Sequence, residues 1–290
     1  MLPMAPFLAL LHPAAQLGWR SFTIHWSTVI GLVALGALYE WRVRVHRARA
    51  GTPEEAAGPT TLQHASFVTG LLLIFLSLNG PLHDISDYYL FSGHMVQHLM
   101  LTLWMPPMLI YGTPGYLLRP ALQYGWVNAP AKRLTTASAA FVIFNVTVTA
   151  WHLPPMYNTA MEYHPVHIVQ HLMFMVTATL MWWPLMSPLP ELPRLSYPGQ
   201  VLYSFLMSIP MSIVAVCIAM AGDVLYPAYS SAPRIWGITP LLDQQIGGLI
   251  MWIPGGLFFL LVATVVFYKW SESGSDSKAG AQINWKPAAQ

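Results

Sequence analysis

Charge is scarce in this chain. Of 290 residues only 8% are Asp, Glu, Lys or Arg, against 55% hydrophobic ones, and the formal net charge is +2. A soluble domain carries about 25% charged residues. A chain this long and this poor in charge cannot cover itself with a water-compatible surface, so lipid must be its main solvent. The small net charge also excludes a nucleic-acid partner. Cysteine is almost absent: Cys217 is the one copy, set inside an apolar run. That excludes an intramolecular disulfide and any CxxC metal or redox pair, and Cys217 reads as a small buried core residue. No basic residue precedes the short apolar stretch of MLPMAPFLALLHPAA, which argues against a cleaved secretory signal. Residues 1–21 read instead as an extracytoplasmic segment lying on the membrane. No GxGxxG, P-loop, GxSxG or HExxH pattern stands in a fitting context, and no nucleophile–base pair stands out. The chain does not read as an enzyme.

Long apolar runs fill the space that charge leaves. A membrane helix needs about 20 mostly apolar residues, and seven stretches qualify: 22–41, 62–80, 92–111, 133–151, 166–186, 199–221 and 243–268. The expected fold is therefore an all-α polytopic bundle of seven transmembrane helices over residues 22–270, followed by a disordered Ser-, Gly- and Ala-rich cytoplasmic tail over 271–290. Lys and Arg mark the cytoplasmic side. Arg42, Arg44, Arg47 and Arg49 follow the first stretch, and counting spans puts Arg119, Lys132, Arg133, Arg194, Lys269, Lys278 and Lys286 with them. Only Arg20 and Arg234 fall on the other side. The N-terminus is expected outside and the C-terminus in the cytoplasm of a bacterial inner membrane.

Histidine runs opposite to the basic residues. His12, His25, His83, His94, His98, His152, His164, His167 and His171 map to the outer side, and only His46 and His64 to the inner. Residues 94–100 read HMVQHLM and residues 167–173 read HIVQHLM, identical at six of seven positions. The third and fifth stretches thus look like copies of one unit. The seventh resembles a worn third copy, because Gln97 and Gln245 each stand seven residues before a tryptophan, Trp104 and Trp252, that is followed two positions later by proline. His-x-x-x-His sets two imidazoles one turn apart on one helical face, which suits a metal ion taking two nitrogens from one helix. Two such helices could offer four: His94, His98, His167 and His171. Imidazole suits copper, zinc, iron and nickel, and thioether favours reduced copper. Met95, Met100, Met156, Met161, Met173 and Met175 lie near the same layer, a weaker signal because methionine is also common filler.

A single histidine in a span can simply bond a neighbouring helix. Two matched pairs are harder to excuse as packing, since an ionisable residue in a membrane is costly and functional by default. His152, in Trp151-His152-Leu153-Pro154-Pro155, is a candidate further ligand. His12, His25, His83 and His164 stand apart and read as ordinary hydrogen-bonding histidines. Asp243, at the start of the seventh stretch, can cap a helix N-terminus or orient a ligand histidine; the two roles are compatible. Gln97, Gln170, Gln244 and Gln245 suit similar polar roles, and the tryptophans near helix ends read as interface anchors. A proton or ion relay, a b-type haem carrier and a copper permease remain open as alternatives. Haem would use one histidine from each helix and leave two unexplained. A permease would need polar groups through the whole membrane depth, whereas the inner halves of these stretches are nearly all apolar.

The assembled motifs resemble the CtaG-type cytochrome c oxidase assembly proteins, in the multi-span form known from Bacillus-like bacteria rather than the single-span copper chaperone that sometimes carries the same name. The resemblance covers residues 22–270. It rests on His94 to His98, Pro106-Pro107, Gly112-Thr113-Pro114, Trp151 to Pro154, His167 to His171 and Trp182-Trp183-Pro184. It continues through Leu225-Tyr226-Pro227-Ala228-Tyr229, Asp243-Gln244-Gln245 and Met251 to Gly256. Gln170 departs from it, since the family often has glutamate before the last histidine. The resemblance implies a factor for assembling haem–copper oxidase, with oxidase subunits or other assembly factors as partners. The family's occasional fusion to a copper-resistance membrane domain favours copper over zinc.

Overall fold

The computed structural model describes residues 23–50, 57–234 and 236–283, without the side chains of 274–283. The segment 1–21 lies outside the described residues. Those described are helical, turn or coil, with no strand among them. α1 spans Trp26–Arg49 and α2 Thr61–Leu78. α2 opens on a capping box, in which Gln63 N donates to Thr60 Oγ1 and Thr60 N to Gln63 Oε1. The short α3 (Gly80–Tyr88) leads into α4 (Phe91–Leu99), a π-helical turn (Met100–Trp104) and α5 (Met105–Gly112). α6 (Gly115–Leu118), α7 (Gly125–Leu134), α8 (Ala137–His152) and α9 (Pro154–Glu162) follow. α10 is His164–Met186, α11 Tyr197–Ala219 and α12 Pro240–Ile283.

Helices fall on all seven apolar stretches, but not all of them cross a membrane on length and apolarity alone. α2, α10, α11 and residues Pro240–Ser273 of α12 do; α7 and α8, bent by 79° at their break, add a fifth if taken as one span. α1 carries Glu40 and four arginines in its last turns, which dilutes its apolar length. The 92–111 stretch is divided by the π turn. The fold is thus a membrane bundle of several spans. α12 continues to Ile283, into the stretch read as a disordered tail. Extending a helix costs far less than starting one, and no proline follows Pro254 until Pro287.

The interior forms where α4, α8, α10, α11 and α12 meet, around Phe91, Phe144, Phe174, Met181, Met207 and Phe259. α11 and α12 approach closely at Gly248. A Cβ added there would stand 2.6 Å from the backbone nitrogen of Ala219, so only glycine permits the contact, as small residues do between helices in lipid. Cys217 is exposed rather than buried. The buried stripe of α11 runs through Ser204, Met207, Met211, Ala215 and Ile218, and Cys217 lies off that helical period. Trp182 is also no interface anchor. It is 3% exposed, and its Nε1 donates to the Thr102 carbonyl at 2.9 Å. Pro106 and Pro107 explain why that carbonyl is free. Each lacks the N–H that would close an α- or π-type bond to Thr102, so the π turn after His98 is held from outside, by α10.

Candidate metal centre

The two HxxxH helices lie side by side. His94, His98, His167 and His171 are each no more than 5% exposed. Ring centroids are 4.2 Å apart for His94–His98, 4.4 Å for His167–His171, 5.3 Å for His94–His167 and 5.6 Å for His98–His171. His152, from the end of α8, reaches the same cluster, 5.6 Å from His98. Its Nδ1 pairs with the Val148 carbonyl at 2.7 Å, which leaves Nε2 to face inward.

One donor atom from each of His94, His98 and His171 lies within 4.8 Å of the other two. Nitrogens on one ion sit at most about 4.2 Å apart, twice a bond of about 2.1 Å. Small side-chain adjustments would therefore close the set on an ion. The same grouping holds for Asp87, His94 and His167. Both ring nitrogens of His94 and of His98, and Nε2 of His152 and of His171, are buried without a hydrogen-bond partner. Each unmade bond costs about 1–3 kcal/mol. Six on converging rings is a heavy penalty for a structure that needs them only for packing, and a bound cation, taking one nitrogen from each ring, would remove much of it.

The surrounding polar residues separate into different tasks. Asp243 caps a helix, but not its own. Its Oδ2 accepts from Phe91 N at 2.7 Å, and its Oδ1 from Ser92 N at 3.1 Å and Ser92 Oγ at 2.5 Å. It thereby holds the start of α4, the helix that carries His94 and His98. Gln97 donates to the Ser77 carbonyl at 2.6 Å and pairs with His83 Nδ1 at 3.2 Å. Gln170 is fully buried, with neither side-chain polar atom partnered. Gln244 lies apart from the rings, fixing the 223–225 loop through Leu225 N and the Asp223 carbonyl; Gln245 reaches the Ala221 carbonyl. Met156 and Met173 are exposed.

Asp87 belongs to no sequence motif, yet it joins the rings. Asp87 Oδ2 stands 3.4 Å from His83 Nε2 and 3.5 Å from His167 Nδ1. His83 is therefore not the isolated histidine it looks like, and neither is His25, whose ring centroid is 4.4 Å from that of His83. The available signal was the i, i+4 spacing of His83 and Asp87. A tyrosine lid closes the cluster: Tyr157 packs on His94 at 5.4 Å, Tyr157 OH donates to Tyr229 OH, and Tyr229 OH donates to the Ser86 carbonyl. Tyr226 OH donates to the His152 carbonyl.

Residues 37–273 match the family described as cytochrome c oxidase caa3 assembly factor. The chain belongs to that family. The match takes in His83, His94, His98, His152, His167 and His171, together with Asp87, Asp243 and the tyrosine lid. Relatives of this chain include uncharacterized proteins of Mycobacterium bovis and Mycobacterium tuberculosis, each 26% identical over 198 residues, 63% of this chain and 30% of the relative. An uncharacterized protein of Mycobacterium leprae is 24% identical over 71% of this chain and 34% of its own length. The chain thus spans about a third of the curated relatives it matches. No solved structure matches it.

Proposed function

We propose that this chain is an assembly factor for haem–copper cytochrome c oxidase that holds a copper ion at the outer face of a bacterial inner membrane and passes it to an oxidase subunit. On this reading seven spans cross the membrane, with the N-terminus outside and the C-terminus in the cytoplasm. The observation that carries the reading is the convergence of His94, His98 and His171, buried, from two matched helices, with ring nitrogens that nothing else partners. His152 stands as a fourth imidazole. Imidazole fits several transition metals; membership of an oxidase assembly family favours copper among them. The ring packing favours an ion over haem. A macrocycle between His94 and His171 would need space taken by His98 and His167, whose rings lie against both.

The test is metal content and oxidase activity in membranes of equal protein abundance. His94→Ala, His98→Ala and His171→Ala should each lower copper retention by about tenfold or more, and oxidase maturation with it. A double replacement should be little worse than a single one, because ligands of one ion act as a unit. His46→Ala should be silent, since that ring stacks on Tyr116 away from the cluster. Full copper and full oxidase in all three single variants would return the histidines to helix–helix bonding.

A further inference from the structure

A cavity of ≈ 640 Å³ lies between α1, α2 and α10. Its wall is mostly apolar, but His25, His83, His164, His167 and His171 share it. His94 and His98 stand behind them. The rings form a continuous ladder of decreasing exposure. His164 is exposed and His25 half-buried, while His83, His167 and His94 are buried. Centroid steps along it are 6.0 Å from His164 to His25, 4.4 Å to His83, 6.4 Å to His167 and 5.3 Å to His94.

Asp87 sits at the middle of this ladder, its side chain 8% exposed. Its contacts to His83 and His167, at 3.4 and 3.5 Å, are longer than charge-assisted hydrogen bonds of about 2.7–2.9 Å. One donor atom each of Asp87, His94 and His167 already falls within 4.8 Å of the others. His94 belongs to this group and to the deep one with His98 and His171.

We propose that Asp87, His94 and His167 form a second, peripheral copper position, its carboxylate held by His83, that takes the ion from the cavity and hands it to the deep His94–His98–His171 set through His94. The inference rests on the copper-holding function above. The transfer is ligand exchange alone: the bonds to Asp87 and His167 break as bonds to His98 and His171 form, and His94, common to both sets, stays bound. The oxidation state does not change. The carboxylate supplies the negative charge that draws a cation into a low-dielectric site. Its hard oxygen holds copper less well than imidazole does, so the gradient runs inward.

The experiment uses the full chain in lipid nanodiscs, loaded anaerobically with Cu(I) from a chromophoric chelator, with rate and final occupancy followed together. Asp87→Asn should slow loading by about tenfold or more, the range seen when partners of a metal site are removed, while the ion finally held remains. His83→Gln should do the same, and serves if the first variant fails to fold. His98→Ala should still hold an ion weakly, and His98→Ala with Asp87→Asn should hold none. Loading as fast as wild type in both Asp87→Asn and His83→Gln overturns the peripheral position and leaves the deep one standing. No copper on the wild-type chain overturns both readings together.

Discussion

At the scale of single residues, Asp243 shows how a carboxylate can matter to the proposed metal site without touching it. It accepts three hydrogen bonds at the start of α4, with no exposure to solvent. Asn in its place keeps one acceptor oxygen and turns an N–H toward a donor. Asp243→Asn should cost about 1–3 kcal/mol for the group left unsatisfied, read as a lower unfolding midpoint in detergent. Copper retention should fall in step with that loss, since the residue acts through helix position. A loss of copper without a stability change would instead mark Asp243 as acting on the ion. The sequence carried part of this: an acid at a helix start predicts capping, but not which helix is capped. The contact joins positions 151 and 152 residues apart, beyond anything periodicity reports. His83 and Asp87 were hidden for a related reason. They lie on a short helix between apolar stretches, and only the packing of α3 against α4 and α10 turns them toward the rings.

At the scale of elements, the repeated HxxxH was legible because one helical turn fixes the geometry whatever the tertiary fold. The seven apolar stretches were legible because lipid demands them, and a helix stands on each. Their integrity was not: the 92–111 stretch breaks into α4, a π turn and α5. The cause was in view as Pro106-Pro107, which strip the Thr102 carbonyl of its in-helix donors. What the sequence did not show is that Trp182, read as an interface anchor, supplies the replacement donor. Trp182→Phe should cost about 1–3 kcal/mol, the penalty for an orphaned buried carbonyl. Adding Pro106→Ala should recover part of that loss, because the restored N–H can bond Thr102. Thermal unfolding of the single and double variants measures the coupling. Equal losses with and without Pro106→Ala would show that Trp182 contributes through packing alone.

At the scale of the whole molecule, the seven-span reading puts the basic residues and most histidines at opposite ends. If seven spans cross the membrane, a reporter active only outside should work when fused after residue 85 or 160 and fail after residue 55 or 275. Activity at 275 would remove the seven-span arrangement and with it the assignment of the histidine end to the outer face. The clamp from α12 to the start of α4 has a further consequence, for biosynthesis. A chain leaves the ribosome N-terminus first, so the segment bearing His94 and His98 is made about 150 residues before its clamp. Until Asp243 is translated and its helix inserted, the first pair of imidazoles has no fixed start to its helix. On the proposed function, a nascent chain is thus spared from capturing stray metal in the wrong geometry until Asp243 is in place.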